Sequence, residues 1–252
     1  GVTFVPDQVG DMDAELSVPE NSREDAIIIY IHGGGLICGN AFSSRRVCLH
    51  AGGGDEDSGL RLFLSAGAGG QISGGGGRLL YRLSGNSEKT PGKTGLSHRR
   101  ERRSISLYCH GYESPVTNGV TMPAGVIPYS PVIDVSGALN REREGNKDFT
   151  VTPDGLRWLQ ELYCVDADVK NPYASPYYDD MHDMPPMLLA WDESETLAVD
   201  SEVIVRDWRR MVIECRHKSY PDCFHAFATT GRGTPESMEI LKDTVAFIED
   251  HI

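Results

Sequence analysis

A run of apolar residues near the start of the chain ends directly in a glycine-rich turn. Ala26 to Ile31 reads Ala-Ile-Ile-Ile-Tyr-Ile, and His32-Gly33-Gly34-Gly35 follows at once. An unbroken β-branched run without polar alternation is typical of a strand that is buried on both faces of a parallel sheet. Because such a strand must be covered by helices on either side, this feature alone predicts an α/β fold.

Strand and helix patterns alternate toward the carboxyl end of the chain. Two more strands are predicted at Gly125 to Ser130 and at Met187 to Trp191, and helical periodicity covers Pro153 to Tyr163 and Glu236 to Ile252. Strands that alternate with helices imply right-handed crossovers. We therefore expect one α/β domain over residues 1–252, with a doubly wound, mostly parallel sheet and helices on both faces.

Composition restricts the partners that such a protein can have. The 252 residues include 24 Lys and Arg against 37 Asp and Glu, a net charge of −13, which disfavours nucleic acid as a partner. No stretch approaches the roughly 20 apolar residues of a membrane span, and no export signal opens the chain, so we expect a cytoplasmic protein. Six cysteines without a C-x-x-C pair argue against a disulfide framework and a zinc site.

Residues 46–119 have a different composition from both flanks. Residues 51–95 hold 14 of the 28 glycines, and a basic cluster, residues 98–103, follows them. Glycine supplies no side chain to a core and increases the entropy of the unfolded chain. We therefore predict that this segment is the least ordered part of the fold. The basic cluster is interpreted as a solvated surface, with a patch for an acidic partner as the alternative.

The glycine turn could bind a developing negative charge. A strand that runs into His32-Gly33-Gly34-Gly35 presents backbone amides at the carboxyl end of a sheet, and glycines let that backbone approach a ligand. Such amides can hydrogen-bond an oxyanion, and this motif after a strand is a feature of lipases and esterases. A glycine turn without a catalytic role is the alternative.

An acidic cluster and a histidine follow in an informative order. Glu195 comes just after the strand predicted at Met187 to Trp191, and His225 follows about thirty residues later, which is the order of acid and base in α/β-hydrolases. Asp192 is a second candidate for the acid. Because Phe224 and Phe227 flank His225, the alternative is that His225 is a buried core residue without a catalytic role.

These motifs belong to a longer series that resembles the hormone-sensitive-lipase-like branch of the α/β-hydrolases, the bacterial acetyl esterases and arylesterases. The matching stretches occur in family order over about two thirds of the chain. They are His32 to Gly39, Tyr81-Arg82-Leu83, Tyr129 to Ser136, Asn171 to Pro176, Met184-Pro185-Pro186 and Phe224 to Phe227.

The resemblance implies a site and a substrate. Gly33 and Gly34 correspond to the oxyanion-hole amides, His225 to the base and Glu195 to the acid, so we expect His225 Nδ1 within hydrogen-bond reach of Glu195. It implies a small-molecule ester as substrate and no metal or organic cofactor, and it leaves a homodimer open. Only residues 1–25 precede the first clear strand, so the family's cap is expected to be short or absent, which would favour short-chain acyl esters.

The nucleophile is where the chain departs from the family. No G-x-S-x-G occurs anywhere in the sequence. Ser65 precedes Tyr81-Arg82-Leu83, whereas the family places its nucleophile after that motif. Ser114 follows a strand predicted at Ile105 to Cys109 and is the best-placed serine, although Pro115 comes where a helix should begin.

This departure leaves three other interpretations open. The protein could be an inactive homologue that only binds, or residues 46–119 could be a misread stretch of the coding frame. Ser87 to Thr94 differs at one residue from the sequence motif of a phosphate-binding loop, so a P-loop NTPase is a remote alternative.

The acidic run from Asp179 to Asp183 could bind a hard cation but is interpreted as a solvated loop.

Overall fold

A computed structural model gives the architecture. It describes the chain at residues 1–9, 12–21, 26–35, 39, 42, 45, 61–65, 103–108, 123–164, 168–172, 174–179, 181–182 and 184–252. Within 46–119 it describes the backbone of two strands. Residues 98–102 of the basic cluster, Ser87 to Thr94 and Ser114 lie outside the described residues. The prediction that this segment is weakly ordered also falls mostly on residues outside them.

Within the described ranges, eight strands form a single sheet. They are β1 (Val2–Val9), β2 (Met12–Pro19), β3 (Ala26–Ile31), β4 (Arg61–Ser65), β5 (Arg103–Tyr108), β6 (Gly125–Pro128), β7 (Met187–Asp192) and β8 (Cys215–Tyr220). Their order across the sheet is β1-β2-β4-β3-β5-β6-β7-β8. The pairs from β4 through β8 are parallel, while β2 pairs antiparallel with β1 and with β4. The mostly parallel sheet is thus confirmed, and β3, β5, β6 and β7 lie where strands were predicted.

Residues ahead of β3 contribute to the sheet in a way that the sequence did not indicate. β1 and β2 form an antiparallel pair whose register joins Val2 to Pro19 and Val9 to Met12. Both strands carry charged residues beside apolar ones, so they lack the unbroken apolar run that revealed β3. An antiparallel pair at the edge of a sheet can keep one face in water, which explains the weaker signal.

Among the described residues, three α-helices follow β6, and polar side chains cap the first and the third of them. They are α1 (Pro153–Tyr163), α2 (Ala198–Arg210) and α3 (Pro235–His251). Thr152 caps α1 by accepting from the Gly155 amide, and Thr234 and Ser237 form a capping box at α3. The bounds of α1 are those predicted, and α3 begins and ends one residue before its prediction. No helix in the described ranges is both long and apolar enough to cross a membrane.

Strand β7 shows how the core is built on both faces of the sheet. All six of its residues are buried. Leu188 and Ala190 pack on one face in a cluster that contains Phe247 of α3. Met187, Leu189 and Trp191 pack on the other face in a cluster with residues of α2. Alternate residues of a strand point to opposite faces, so α2 and α3 must cover opposite sides of the sheet.

The parallel strands bring distant loops to one edge of the sheet. In the register of the sheet, Ile31 at the end of β3 lies beside Tyr108 at the end of β5, and Asp192 at the end of β7 lies beside Tyr220 at the end of β8. Parallel strands point the same way, so the segments that follow them leave from the same edge. This is the edge at which open α/β sheets bind ligands.

A buried ion pair connects this edge to α2. Arg141 Nε and Nη2 donate to the two carboxylate oxygens of Asp200 at 2.9 and 2.7 Å, and Asp200 is fully buried in the first turn of α2. Asp200 also accepts from the Ile133 amide, and Arg141 donates to the Asp134 carbonyl oxygen. The loop after β6 is therefore held against the start of α2.

We expect Arg141→Met to lower the free energy of unfolding by about 3–5 kcal/mol, because it leaves the carboxylate of Asp200 buried without its partner. Arg143→Met is the matched control. Its partner Glu202 is half-exposed, so this change should cost less than about 1 kcal/mol. Urea unfolding of both variants measures the difference, and equal losses would contradict the importance of the buried pair.

Candidate active site

Glu195 reaches the carboxyl edge of the sheet in the turn that follows β7. The turn is closed by a hydrogen bond from the Glu195 amide to the Asp192 carbonyl oxygen at 3.3 Å. The Glu195 side chain is buried, with 1% of the residue exposed. A buried carboxylate needs hydrogen-bond donors, because an isolated charge in an apolar interior is strongly destabilising.

His225 supplies such a donor from the loop after β8. Its Nδ1 lies 3.0 Å from Glu195 Oε2, and the pair is buried. The hydrogen bond that the sequence led us to expect is therefore present. The two residues stand thirty positions apart in the chain and come from neighbouring parallel strands, β7 and β8.

The loop that carries His225 crosses back over β7 toward the middle of the sheet. The amide of Ala226 donates to Ser130 Oγ at 3.0 Å, and Ser130 follows β6. Since β6 lies next to β5, this bond holds the histidine loop close to the strand that precedes Ser114. Sequence reasoning gave Ser130 no role, although it lies in the Tyr129 to Ser136 stretch that matched the family.

The backbone around the site adopts an uncommon conformation at three residues. Ser130, Asp222 and Ala226 have φ values of 47°, 57° and 57°. Non-glycine residues rarely adopt positive φ, and such residues tend to cluster at functional sites, where surrounding contacts hold them in place. At Ser130 and Ala226 the hydrogen bond between these two residues is one such contact.

The environment of Glu195 acts on its pKa in opposing directions. Burial is the strongest influence and raises the pKa, while the hydrogen bond from His225 and the nearby Ser130 hydroxyl lower it. The charge of Asp148 raises it again, and the net shift is upward. Although Ser130 is near enough to act electrostatically, Glu195 Oε1 has no partner at hydrogen-bond distance among the described residues.

Asp148 is a second carboxylate that sequence reasoning did not find. Burial raises its pKa, but the Val151 amide, the Thr150 hydroxyl and further amides outweigh burial and lower the pKa overall. One of these donors is the amide of Thr196, the neighbour of Glu195, at 3.1 Å. Asp148 thus supports the turn that carries Glu195. The sequence signal was weak, since an Asp two residues before a Thr occurs in many surface turns.

One group of side chains has the spacing that a metal ion requires. Among the described residues, ligand atoms of Asp148, Glu195 and His225 all lie within 4.8 Å of one another. His225 Nδ1 already bonds Glu195 Oε2, so a cation that used either of these two atoms would have to displace that bond. The acidic run at 179–183 is not such a group in its described part; Asp180 and Asp183 lie outside the described residues.

The glycine turn begins where β3 ends. His32 is buried, and its Nδ1 donates to the Gly33 carbonyl oxygen at 2.7 Å. Gly34 has a φ of 134°, a value that side-chain-bearing residues avoid. Gly33 and Gly34 therefore lie at the edge of the sheet from which the acid and histidine loops leave.

The sequence also offered Asp192 as a second candidate for the acid, and Ser114 and Ser65 as serines to weigh for the nucleophile. Asp192, the second candidate for the acid, uses its carboxylate to accept from Ser194 and from the Cys223 amide, and it is Glu195 that pairs with His225. Ser114 lies outside the described residues. Ser65 ends β4, which lies on the far side of β3 from β5.

Known proteins share this fold and parts of this sequence. Residues 106–229 match the family model described as the alpha/beta hydrolase fold. An acetyl-hydrolase from Streptomyces hygroscopicus is 26% identical over 132 residues, which are 52% of this chain and 44% of that relative, so the chain spans less than half of the relative's length. A hormone-sensitive lipase from a metagenome library has a TM-score of 0.84 at 22% identity over 100% of this chain and 87% of that chain. An esterase/lipase from an uncultured bacterium has a TM-score of 0.80 at 18% identity over 99% of this chain and 85% of that chain.

The topology, the site edge and these likenesses define the class of the protein: it has the α/β-hydrolase fold. Its sequence is similar in part to that of an acetyl-hydrolase, and its fold is similar to that of a solved hormone-sensitive lipase. The resemblance found in the sequence is confirmed.

We expect Gly39→Ala to destabilise the glycine turn. The φ of Gly39 is 112°, and a Cβ there would lie 2.6 Å from the Gly33 carbonyl oxygen and against the His32 ring. Gly35→Ala is the matched control, since its φ is 61° and nothing lies within 4 Å of the added atom; it should cost about 1–2 kcal/mol. Thermal unfolding should show a clearly larger loss for Gly39→Ala, and equal losses would contradict the close approach.

We expect Glu195→Gln to gain stability relative to the wild type as the pH rises. Because burial raises the Glu195 pKa above its ordinary 4.5, the native state holds this proton more tightly than the unfolded chain does. The stability that the proton adds is at its maximum below the ordinary pKa, which is that of the unfolded chain. It is lost as the pH rises through the raised pKa of the folded protein. Urea unfolding from about pH 4 to about pH 8 measures the difference.

Asp222→Asn provides the control of opposite sign. The hydrogen bond from Lys147 lowers the pKa of Asp222. The ionised carboxylate therefore adds to the stability of the wild type at higher pH, and this added stability is lost as the pH falls through the lowered pKa. The Asn variant should therefore lose stability relative to the wild type with rising pH. A Glu195→Gln difference that ran in the same direction would contradict the upward shift.

Proposed function

We propose that the protein is a carboxylic-ester hydrolase that uses a serine nucleophile, His225 as the base and Glu195 as the acid. The observation that carries this proposal is the buried hydrogen bond of 3.0 Å between His225 Nδ1 and Glu195 Oε2. A histidine that donates through Nδ1 to a carboxylate keeps Nε2 unprotonated, and Nε2 can then accept a proton from a hydroxyl.

The reaction would proceed by acyl transfer. His225 Nε2 removes the serine proton as the serine oxygen attacks the ester carbonyl carbon. The C–O bond to the alcohol then breaks, and the protonated histidine gives its proton to the departing alkoxide. Water, deprotonated by His225, hydrolyses the acyl-enzyme, so that the acid is released and the serine is restored.

Glu195 would act by stabilising the imidazolium that forms in each transfer. This role requires an ionised carboxylate, although burial raises the pKa of Glu195. The hydrogen bond from His225 and the Ser130 hydroxyl act in the required direction by lowering that pKa. The amides of Gly33 and Gly34 would hold the oxyanion of the tetrahedral intermediate, at the carboxyl end of the strand that leads into them.

Ser114 is our candidate for the nucleophile. β5 ends at Tyr108, and Ser114 follows six residues later. β5 lies between β3, which leads to the glycine turn, and β6, to which the histidine loop is tied. The chain between Tyr108 and Ser114 therefore starts from the strand that both groups flank. Pro115 directly follows Ser114, and a proline is compatible with a helix there only within its first turn.

We propose short-chain acyl esters as the substrate class. The relative from Streptomyces hygroscopicus is an acetyl-hydrolase, and acetyl is the shortest common acyl group. Hydrolysis of p-nitrophenyl esters of increasing acyl length tests the proposal. The value of kcat/KM should be highest for acetate or butyrate and should fall for longer chains, whereas a maximum at a long chain would overturn the preference.

His225→Ala should lower kcat for p-nitrophenyl acetate by a factor on the order of 10³ or more, because the serine loses its base. His217→Ala is the matched control, since His217 lies on β8 and is exposed, and its kcat should stay within about two-fold of the wild type. Equal rates for the wild type and His225→Ala would overturn the catalytic assignment.

A fluorophosphonate probe followed by peptide mapping identifies the nucleophile directly. We expect labelling at Ser114. Labelling at another serine would overturn Ser114 and keep the esterase. If the folded wild type is neither labelled nor active, the rival interpretation holds, namely a homologue that only binds, which the missing G-x-S-x-G motif favours.

A further inference from the structure

Asp192 is a buried carboxylate that the proposed reaction does not use. It is the last residue of β7, and 1% of it is exposed. Its oxygens face two different loops, the turn that leads to Glu195 and the turn that leads to His225. A carboxylate in such a position must accept hydrogen bonds to offset the loss of water.

One oxygen shapes the turn that carries the acid. Asp192 Oδ1 accepts from the Ser194 amide at 2.9 Å and from the Ser194 hydroxyl at 2.5 Å. A side chain that accepts from the amide two residues later forms an Asx turn, which fixes the direction of the following chain. Glu195 is the next residue, and its own amide donates to the Asp192 carbonyl oxygen.

The other oxygen holds the turn that carries the base. Asp192 Oδ2 accepts from the Cys223 amide at 2.7 Å, two residues before His225. Asp222, just ahead of Cys223, has a positive φ, so this turn needs outside contacts to keep its shape. A hydrogen bond between an amide and an ionised carboxylate is about twice as strong as a neutral one.

We propose that Asp192 is a positioning residue, which fixes the hydrogen bond between Glu195 and His225 by holding both of their loops with one carboxylate. The effect of Asp192 on kcat rests on the proposed function, whereas its effect on the hydrogen bond between Glu195 and His225 does not. Asp192 touches neither the histidine ring nor the acid side chain in the bonds described, so it acts through the backbone of each loop.

Asp192→Asn is the sharpest substitution, because it keeps the size of the side chain and removes one acceptor. An Asn oxygen can serve only one of the two loops, and its NH2 group then faces an amide donor of the other loop. One loop therefore loses its anchor while the bulk of the side chain stays in place.

The chain provides a matched control at Asp134. Asp134 is buried, its Oδ1 accepts from the Ser136 amide and hydroxyl at 2.8 and 2.5 Å, and its Oδ2 accepts from the Leu139 amide at 2.8 Å. The pattern of donors is the same as at Asp192. The Asp134 side chain joins residues of one loop only, however, and reaches neither the acid turn nor the histidine turn in these bonds.

The kinetic test compares the two Asn variants with p-nitrophenyl acetate. Asp192→Asn should lower kcat about 10- to 100-fold, the range for groups that orient a reacting side chain, with KM within about two-fold of the wild type. Asp134→Asn should lose comparable thermal stability and keep its kcat. Equal kcat values for the two variants, at equal folded fractions, would overturn the proposal.

A spectroscopic test does not depend on activity. We expect a far-downfield proton resonance from His225 Nδ1–H in the wild type, assigned as the signal that His225→Ala removes. Asp192→Asn should shift or broaden this resonance, and Asp134→Asn should leave it in place. If the wild type proves inactive but the resonance responds in this way, the proposed function fails and the positioning role stands.

Ser194→Ala covers the case in which Asp192→Asn does not fold. Ser194 is half-buried, and the change removes one donor to Asp192 while both amide bonds remain. We expect a two- to five-fold fall in kcat and a small shift of the His225 resonance. A kcat and a resonance identical to those of the wild type would overturn the proposal.

Discussion

Carboxylates buried at the carboxyl edge of the sheet must be given hydrogen-bond donors, because an unpaired buried charge costs several kcal/mol. Asp134, Asp192 and Asp200 meet this requirement with backbone amides, a hydroxyl or a guanidinium. The bonds of Asp192 and Asp200 join loops to a strand or a helix or to each other, and those of Asp134 brace a single loop. The need to satisfy a few acids therefore also fixes the loops that follow β6, β7 and β8.

Glu195 accepts fewer of the described hydrogen bonds than these aspartates do. It has the hydrogen bond from His225, while its second oxygen has no partner at hydrogen-bond distance among the described residues. Each of the three aspartates accepts three hydrogen bonds. A buried carboxylate that is paired with a titratable ring responds to the charge on that ring, which is the behaviour that acid–base chemistry requires.

The candidate site could be predicted in part, for reasons that individual residues make clear. Glu195 and His225 were identified because the order of acid and base along the chain follows the order of β7 and β8. Ser130 and Asp148 were missed, because each is one polar residue in a common turn sequence. Their importance arises from bonds to Ala226 and Thr196, which lie far away in the chain.

The sequence by itself determined β3 and its glycine turn, the bounds of α1 and a mostly parallel sheet, since unbroken β-branched runs and helical periodicity are local patterns. The family resemblance placed Glu195 ahead of Asp192 as the acid, but only the tertiary structure shows which carboxylate pairs with His225. Both carboxylates leave the same strand end three residues apart, so their distance from His225 along the chain does not separate them. The Cys223 amide engages Asp192, and this contact across two strands leaves Glu195 to face the histidine.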